Sequence, residues 1–248
     1  MRIAALYDIH GNLPALEAVL DEVAAAGPDL VVIGGDVLPG PLPAETLGAL
    51  AETRLPLACI HGNGDREVLA TLSGAPNDRL PERARTAIAW TASQVASWQA
   101  TLAGWSPTLT VAAEAGQLLF CHATPADDVT IFTRLTPTAR VADLLAGTAA
   151  DWVFCGHTHM PFDRRVGPYR VVNPGSVGMP FGEPGAYWAL IDGGSLTLRR
   201  TSYDLARAAD LIRRSGYPQA AEFADRNVLD PPTEAEMLRV LDPAAAAG

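Results

Sequence analysis

The chain has 248 residues, 48% hydrophobic and 19% charged, with a formal net charge of −10. That length supports a sizeable core, and the composition excludes a disordered chain or a small disulfide scaffold. All 18 basic residues are arginine, which excludes Schiff-base, pyridoxal phosphate, P-loop and kinase-lysine chemistry.

The acidic balance also opposes duplex DNA as a partner. No apolar run approaches the roughly 18 residues of a membrane span, so a cytoplasmic protein is expected. In chain order, the aliphatic run 3–7 is a strand, followed by a helical stripe of Leu13, Leu16, Leu20 and Val23 that Gly27-Pro28 closes. Residues 30–33 form a second strand, 43–52 a second helix and 57–60 a third strand. This β-α-β-α-β order favours parallel strands, whose functional groups gather at the carboxyl ends.

Residues 81–103 are expected as one long helix, with Trp90, Trp98 and Trp105 packing on or near it. Beyond residue 107 the character turns strand-rich, with segments at 109–112, 118–121, 152–155, 170–173, 187–191 and 196–200 suggesting a second, mixed sheet. Cys59, Cys121 and Cys155 each end a short apolar run and are read as buried strand residues. From Tyr203 the pattern is helical. Pro231-Pro232 separates residues 204–214 from a last helix announced by the capping-box pattern Thr233-Glu-Ala-Glu236, and a short alanine run, 244–247, ends the pattern.

The chemical signal lies at the strand ends. The first strand ends in Asp8-Ile9-His10, the second in Gly35-Asp36 and the third in Gly62-Asn63-Gly64-Asp65; later ones end in Cys121-His122 and Gly156-His157-Thr158-His159. In extended chain, residues i and i+2 face one side, so Asp8 with His10, and His157 with His159, can each present two ligands to one cavity. Imidazole, carboxylate and amide oxygen together suit borderline divalent cations, and no thiolate cluster points to structural zinc. His61 stands outside the set as a structural residue.

This ordered series, Asp-x-His, Gly-Asp, Gly-Asn-x-Asp, His, Gly-His-x-His, resembles the calcineurin-like metallophosphoesterase superfamily from Arg2 to about Arg200. Gly11-Asn12 and the segment Asn173-Pro174-Gly175-Ser176-Val177-Gly178 are similar to its small prokaryotic branch. The resemblance implies an α/β fold, a four-layer α-β-β-α sandwich of two mixed sheets, over residues 1–202, with 203–248 a helical extension packed on the same domain. It implies two divalent cations, Mn²⁺ first, with Fe, Zn, Ni or Co as other fits. Asp8, His10 and His159 would hold one cation, Asn63, His122 and His157 the other, and Asp36 would bridge them. Asn12 and the Asn173 loop would hold ligands and backbone in place. Asn63 would also act in catalysis, steadying charge on the phosphate as a metal-bridging hydroxide attacks a mono- or diester or a nucleotide anhydride.

Two departures accompany the resemblance. The family's second aspartate after Gly-Asp is missing from Val37-Leu38-Pro39-Gly40, and the histidine of Gly-Asn-His-Asp/Glu is Gly64 here. That histidine is the family's proton donor to the leaving oxygen, and restoring it at position 64 is expected to help if the imidazole reaches the site. Pocket walls are expected from residues 73–82 and 125–140, and Arg66 and Arg134 read equally as bidentate phosphate clamps or as ordinary surface or structural arginines. A small phosphorylated substrate is the expected partner, with phosphoproteins left open. A metal nuclease and a protein scaffold on the same fold are the alternatives. Nothing in the sequence sets an oligomeric state.

Overall fold

In a computed structural model, which describes residues 1–242, two five-stranded sheets lie between helices. The first sheet contains β1 Arg2–Leu6, β2 Leu30–Gly34, β3 Leu57–Ile60, β9 Ala186–Asp192 and β10 Ser195–Thr201, in the order β10-β9-β1-β2-β3. The second contains β4 Thr108–Ala113, β5 Gly116–Cys121, β6 Trp152–Phe154, β7 Phe162–Val166 and β8 Tyr169–Asn173, in the order β4-β5-β6-β8-β7. Both are mixed: β1 runs parallel to β2 and antiparallel to β9, and β6 runs parallel to β8 while β7 is antiparallel to it.

The pleat explains why β1 is apolar throughout. Ile3, Ala5 and Tyr7 turn toward the second sheet and meet a cluster containing Phe120 and Phe154, whose stacked rings lie 4.8 Å apart. Ala4 and Leu6 turn the other way, onto Leu16 and Val19 of α1 (Leu13–Ala26) and Leu47 of α2 (Pro43–Glu52). On the far side of the second sheet, Val153 and Val171 pack against Val141 of α6 (Thr138–Leu144). Two strand faces are thus covered by helices and two by each other.

Three features depart from the sequence reading. The helix expected over 81–103 is broken into α4 (Glu82–Gln94), a short 3₁₀ turn (Ala96–Trp98) and α5 (Gln99–Ala103). The break falls at Val95, which leaves helical geometry (φ −116°, ψ 21°) and becomes fully buried in the core. Helix α3 (Asn63–Leu72) and α6 carried too short an apolar stripe to stand out. The edge strand β7 was hidden because Asp163, Arg164 and Arg165 occupy its middle, as suits an edge with solvent beside it.

Trp98 and Trp105 pack against the core, and Trp90 meets Tyr217 edge-on at 5.4 Å. Cys121 and Cys155 are buried as expected, but Cys59 is only partly covered. Burial pushes the Cys59 and Cys121 thiols up to about 12 and raises that of Cys155, so none is an activated nucleophile.

The tail forms α7 (Leu205–Arg213), α8 (Ala220–Phe223), which continues into a wide turn over 224–229, and α9 (Glu234–Leu241). Ala208, Ile212, Phe223 and Val228 cluster with Leu42, beside the start of α2. Thr233 and Glu236 cap α9 reciprocally, the Glu236 carboxylate accepting the Thr233 N–H at 2.8 Å. The alanine run at 244–247 lies outside the described residues.

Candidate metal centre

Among the described residues, five other than glycine have a left-handed backbone: Asp8 (φ 54°), His10 (48°), Asp36 (49°), His157 (64°) and His159 (58°). All five are among the seven residues singled out from sequence. Simple extended i, i+2 geometry therefore does not present them; each is swung inward by a kink that costs on the order of 1–3 kcal/mol. The surrounding backbone fixes the kinks. Asp8 N–H donates to Gly35 O (3.1 Å), His10 N–H to Asp36 O (3.0 Å) and Gly156 N–H to His122 O (2.8 Å), tying the strand ends together.

The Asn173 loop completes this frame. Ser176 Oγ and Gly178 N–H both donate to Asp8 O, at 2.7 and 3.0 Å. The Asn173 amide donates to Gly156 O at 2.8 Å, holding the turn that carries His157 and His159. Asn12 caps α1 through its amide oxygen and donates to Gly178 O at 2.9 Å. Both asparagines are fully buried, and they brace the turns beside the site residues through Gly178 and Gly156.

Two groups of donor atoms converge inside the frame. Asp8, His10 and His159 form one, and Asp36, His122 and His157 the other, each with its donor atoms within 4.8 Å of one another. Asp36 Oδ2 reaches both, standing 3.8 Å from His10 Nε2 and 3.5 Å from His122 Nε2. Its Oδ1 accepts the Gly64 N–H at 2.7 Å. Asp8 Oδ1 lies 3.4 Å from His159 Nε2 and 3.8 Å from His122 Nε2, so it too stands between the groups. Asn63 opens α3 rather than ending β3. One atom of its amide faces His157 Nδ1 at 3.0 Å and His122 Nε2 at 3.3 Å, so all seven residues meet in one site.

Every one of the four imidazoles has its other nitrogen against a backbone carbonyl. His10 Nδ1 faces Pro39 O (3.3 Å), His122 Nδ1 faces Gly34 O (3.1 Å), His157 Nε2 faces Val129 O (3.2 Å) and His159 Nδ1 faces Met179 O (2.8 Å). A carbonyl only accepts, so the nitrogen facing it carries hydrogen and the remaining lone pair points inward. His10 Nε2 and His159 Nε2 consequently meet at 3.2 Å. Two lone pairs converging beside carboxylates are unfavourable unless a proton or a metal cation lies between them. The Asn63 amide obeys the same logic: oxygen faces the imidazoles if a cation is bound, and NH₂ if none is.

Charge within the site is divided. Burial alone would raise both carboxyls, but His159 beside Asp8, and His122 with His10 beside Asp36, hold them below the usual range. Desolvation lowers His10 to about 4 and also lowers His157. Against the same burial, Asp36 and Asp8 lift His122 to about 10, and Asp8 raises His159. Without metal, His122 is therefore protonated and His10 neutral near neutral pH, while Asp8 favours the charged form of His159 and burial the neutral form of His157.

Other expectations are corrected. Arg66 is not a free phosphate clamp: it makes a bidentate pair with Asp128 (2.7 and 3.0 Å) and also bonds Glu67 (2.8 Å). The Asp128–Val129 loop that it anchors supplies the carbonyl that orients His157. Arg134 pairs with Glu234 instead. His61 lies near Asp128 (3.9 Å), outside both groups. At Gly64, a Cβ would collide with Leu38 O and approach Pro39 Cδ at 2.8 Å, so no histidine fits there unless that loop moves. The two sequence departures are thus one: the 37–40 loop occupies the space where a side chain at 64 would begin.

The cavity beside the donors is walled by α4, by Val129 and Met179, and by the tail residues Tyr217, Gln219, Phe223 and Asn227; of the segments expected, it takes only Leu80, Pro81 and Val129. The tail and the ligand-orienting carbonyls were missed. Carbonyls carry no sequence signal, and the tail's apolar residues are indistinguishable from ordinary core residues in the sequence.

Two converging groups of candidate metal donors lie at one end of two mixed sheets flanked by helices, the architecture of metallophosphoesterases. The calcineurin-like phosphoesterase superfamily domain matches residues 1–194, and the chain belongs to that family, whose members are hydrolases of phosphate esters. Among its relatives is the Escherichia coli phosphodiesterase YfcE, 28% identical over 207 residues that cover 80% of this chain and 91% of YfcE. A metallophosphoesterase structure from Sphaerobacter thermophilus shares 25% identity at a TM-score of 0.74, covering 92% of this chain and 99% of its own. A hypothetical protein from Pyrococcus horikoshii shares the fold at a TM-score of 0.77 and 20% identity, covering 94% and 99%. No helix among the described residues is long and apolar enough to cross a membrane.

Proposed function

We propose that the protein hydrolyses a small phosphate mono- or diester at a centre of two divalent cations. The observation that carries this is the set of four imidazoles, each tethered to a carbonyl by one nitrogen and each turning the other toward the donor group of Asp8 or Asp36. Asp8, His10 and His159 would hold one cation, and Asn63, His122 and His157 the other, with Asp36 between. Bound there, the pair would supply Lewis-acid stabilisation of the phosphate and activate water near neutral pH.

The chain's own residues do the rest. Gly64 N–H holds Asp36 Oδ1, leaving Oδ2 directed between the groups. The carbonyl tethers fix each imidazole's tautomer, so no reorganisation is required as charge develops on the phosphate. The Asn63 amide stands where it can steady that charge. YfcE, named a phosphodiesterase, favours diesters among the family's substrates. A protein scaffold would have no need for this complete donor set.

Incubation with chelator should abolish hydrolysis of bis(p-nitrophenyl) phosphate, and Mn²⁺ should restore it, with elemental analysis finding two ions per chain. Absence of bound metal, with no gain from any cation added, would overturn the assignment. Mn²⁺ restoring more activity than Zn²⁺, Ni²⁺ or Co²⁺ is also expected.

Metal uptake should rise with pH, because a cation must displace the proton on His122, which is raised to about 10. Loading at pH 7 should release the His122 proton, measurable by calorimetry in buffers of different ionisation enthalpy. The sign for metal-free stability is opposite. A His122 pKa raised above its unfolded value stabilises the fold fully below about pH 6.5, and this contribution is lost as pH rises toward 10. Metal uptake that is independent of pH would contradict these charge states.

A further inference from the structure

The cavity that opens from His10, Asp36 and Asn63 has a volume of about 500 Å³, within the range of small-molecule sites. Leu80, Ala84 and Ile88 wall one side, with Met179, Tyr217 and Phe223 on the other. Its two arginines are already neutralised: Arg66 is held by Asp128 and Glu67, and Arg83 pairs with Glu222. Glu67, itself in the wall, adds a carboxylate. No unpaired cation therefore lines the cavity among the described residues, and a second phosphate would meet apolar surface and negative charge.

The tail wall is built before any ligand arrives. Tyr217 packs edge-on against Trp90 (5.4 Å) and Phe223 (6.3 Å), and the Gln219 amide donates to Arg83 O at 3.3 Å. Tyr217, Gln219, Phe223 and Asn227 all lie beyond residue 194, where the family match ends. This wall is supplied by the tail that follows the matched domain. Gln219 and Asn227 add uncharged hydrogen-bonding groups to it.

We propose that this cavity binds the uncharged, largely apolar or aromatic organic group of the phosphoester substrate, and that the tail makes it selective against polyphosphates and charged alcohols. The assignment rests on the metal centre's binding the phosphate, as proposed above. Burial of a ring against Ile88, Tyr217 and Phe223 gains by removing apolar surface from water, whereas a charged group would be desolvated there without a partner.

Binding is measured separately from turnover, on the Mn²⁺-loaded protein, by calorimetry with 2-naphthyl-, phenyl- and methylphosphonate and with pyrophosphate. Naphthylphosphonate should bind about tenfold or more tighter than phenylphosphonate, and methylphosphonate most weakly of the three. Ala84→Trp, which fills the cavity from α4, should erase the preference for naphthyl over methyl. Equal affinities for the three phosphonates, tighter binding of pyrophosphate than of naphthylphosphonate, or a ring preference that survives in folded Ala84→Trp would each overturn the proposal. If that variant does not fold, the wild-type series decides. A ring preference in a protein that hydrolyses no ester would leave the cavity assigned and the hydrolase reading refuted.

Discussion

Asp36→Asn is expected to lower kcat/KM by about 10³-fold and to reduce bound metal from two ions to one or fewer. The substitution keeps shape and an amide oxygen for the Gly64 N–H, but removes the negative charge that stands 3.8 Å from His10 Nε2 and 3.5 Å from His122 Nε2. Two dications brought close together repel strongly, and the carboxylate between them is the chief group that offsets this. Asn63→Ala should cost less, about 10- to 100-fold, because it removes one neutral ligand from one site.

A second readout separates charge loss from misfolding. Asp36 is the largest influence raising His122, so in metal-free Asp36→Asn the His122 imidazole should titrate well below its present value of about 10. NMR of the metal-free proteins would show it, and intact far-UV circular dichroism would show that the sheets persist. Near wild-type turnover with two ions still bound would remove Asp36 from the bridging position.

The legible part of the molecule was the part in which side-chain type and order carry the information. Apolar runs located β1, β2 and β3; β1 and β2 are buried on both faces and tolerate little else. The series of candidate donors that the fold brings together was legible because glycine, aspartate and histidine recur just where apolar strands stop. The local geometry was not. Left-handed φ at Asp8, His10, Asp36, His157 and His159 is imposed by long-range backbone bonds such as His10 N–H to Asp36 O, which no local propensity records.

Arg66 shows the same limit for electrostatics. A lone arginine near a ligand motif suggests phosphate binding, but its partner Asp128 is 62 residues away in sequence and reaches it through the fold. Cavity walls are likewise a tertiary property. Tyr217 and Phe223 became binding-surface candidates only when the tail was seen folding back against α4.

For the natural protein, log kcat/KM is expected to fall steeply with leaving-group pKa. Aryl esters should be hydrolysed about 10²- to 10⁴-fold faster than alkyl esters of similar size, the range a well-placed general acid contributes. The reason is Gly64, which offers no side-chain acid, and the crowding around it makes the lack irreversible by simple replacement. Gly64→His should not flatten the slope: its Cβ would collide with Leu38 O, costing about 1–3 kcal/mol of stability. The same displacement would disturb the Gly64 N–H bond to Asp36, so activity toward all esters should fall together. Gly64→Ala should share both losses, which identifies the cause as crowding by Cβ rather than imidazole chemistry. The measurement is a series of substituted phenyl and alkyl esters, with Tm recorded for each variant. A shallow slope in the natural protein would mean that another group already delivers the proton, and a Gly64→His protein of unchanged Tm with a flattened slope would mean that the 37–40 loop yields more readily than its packing indicates.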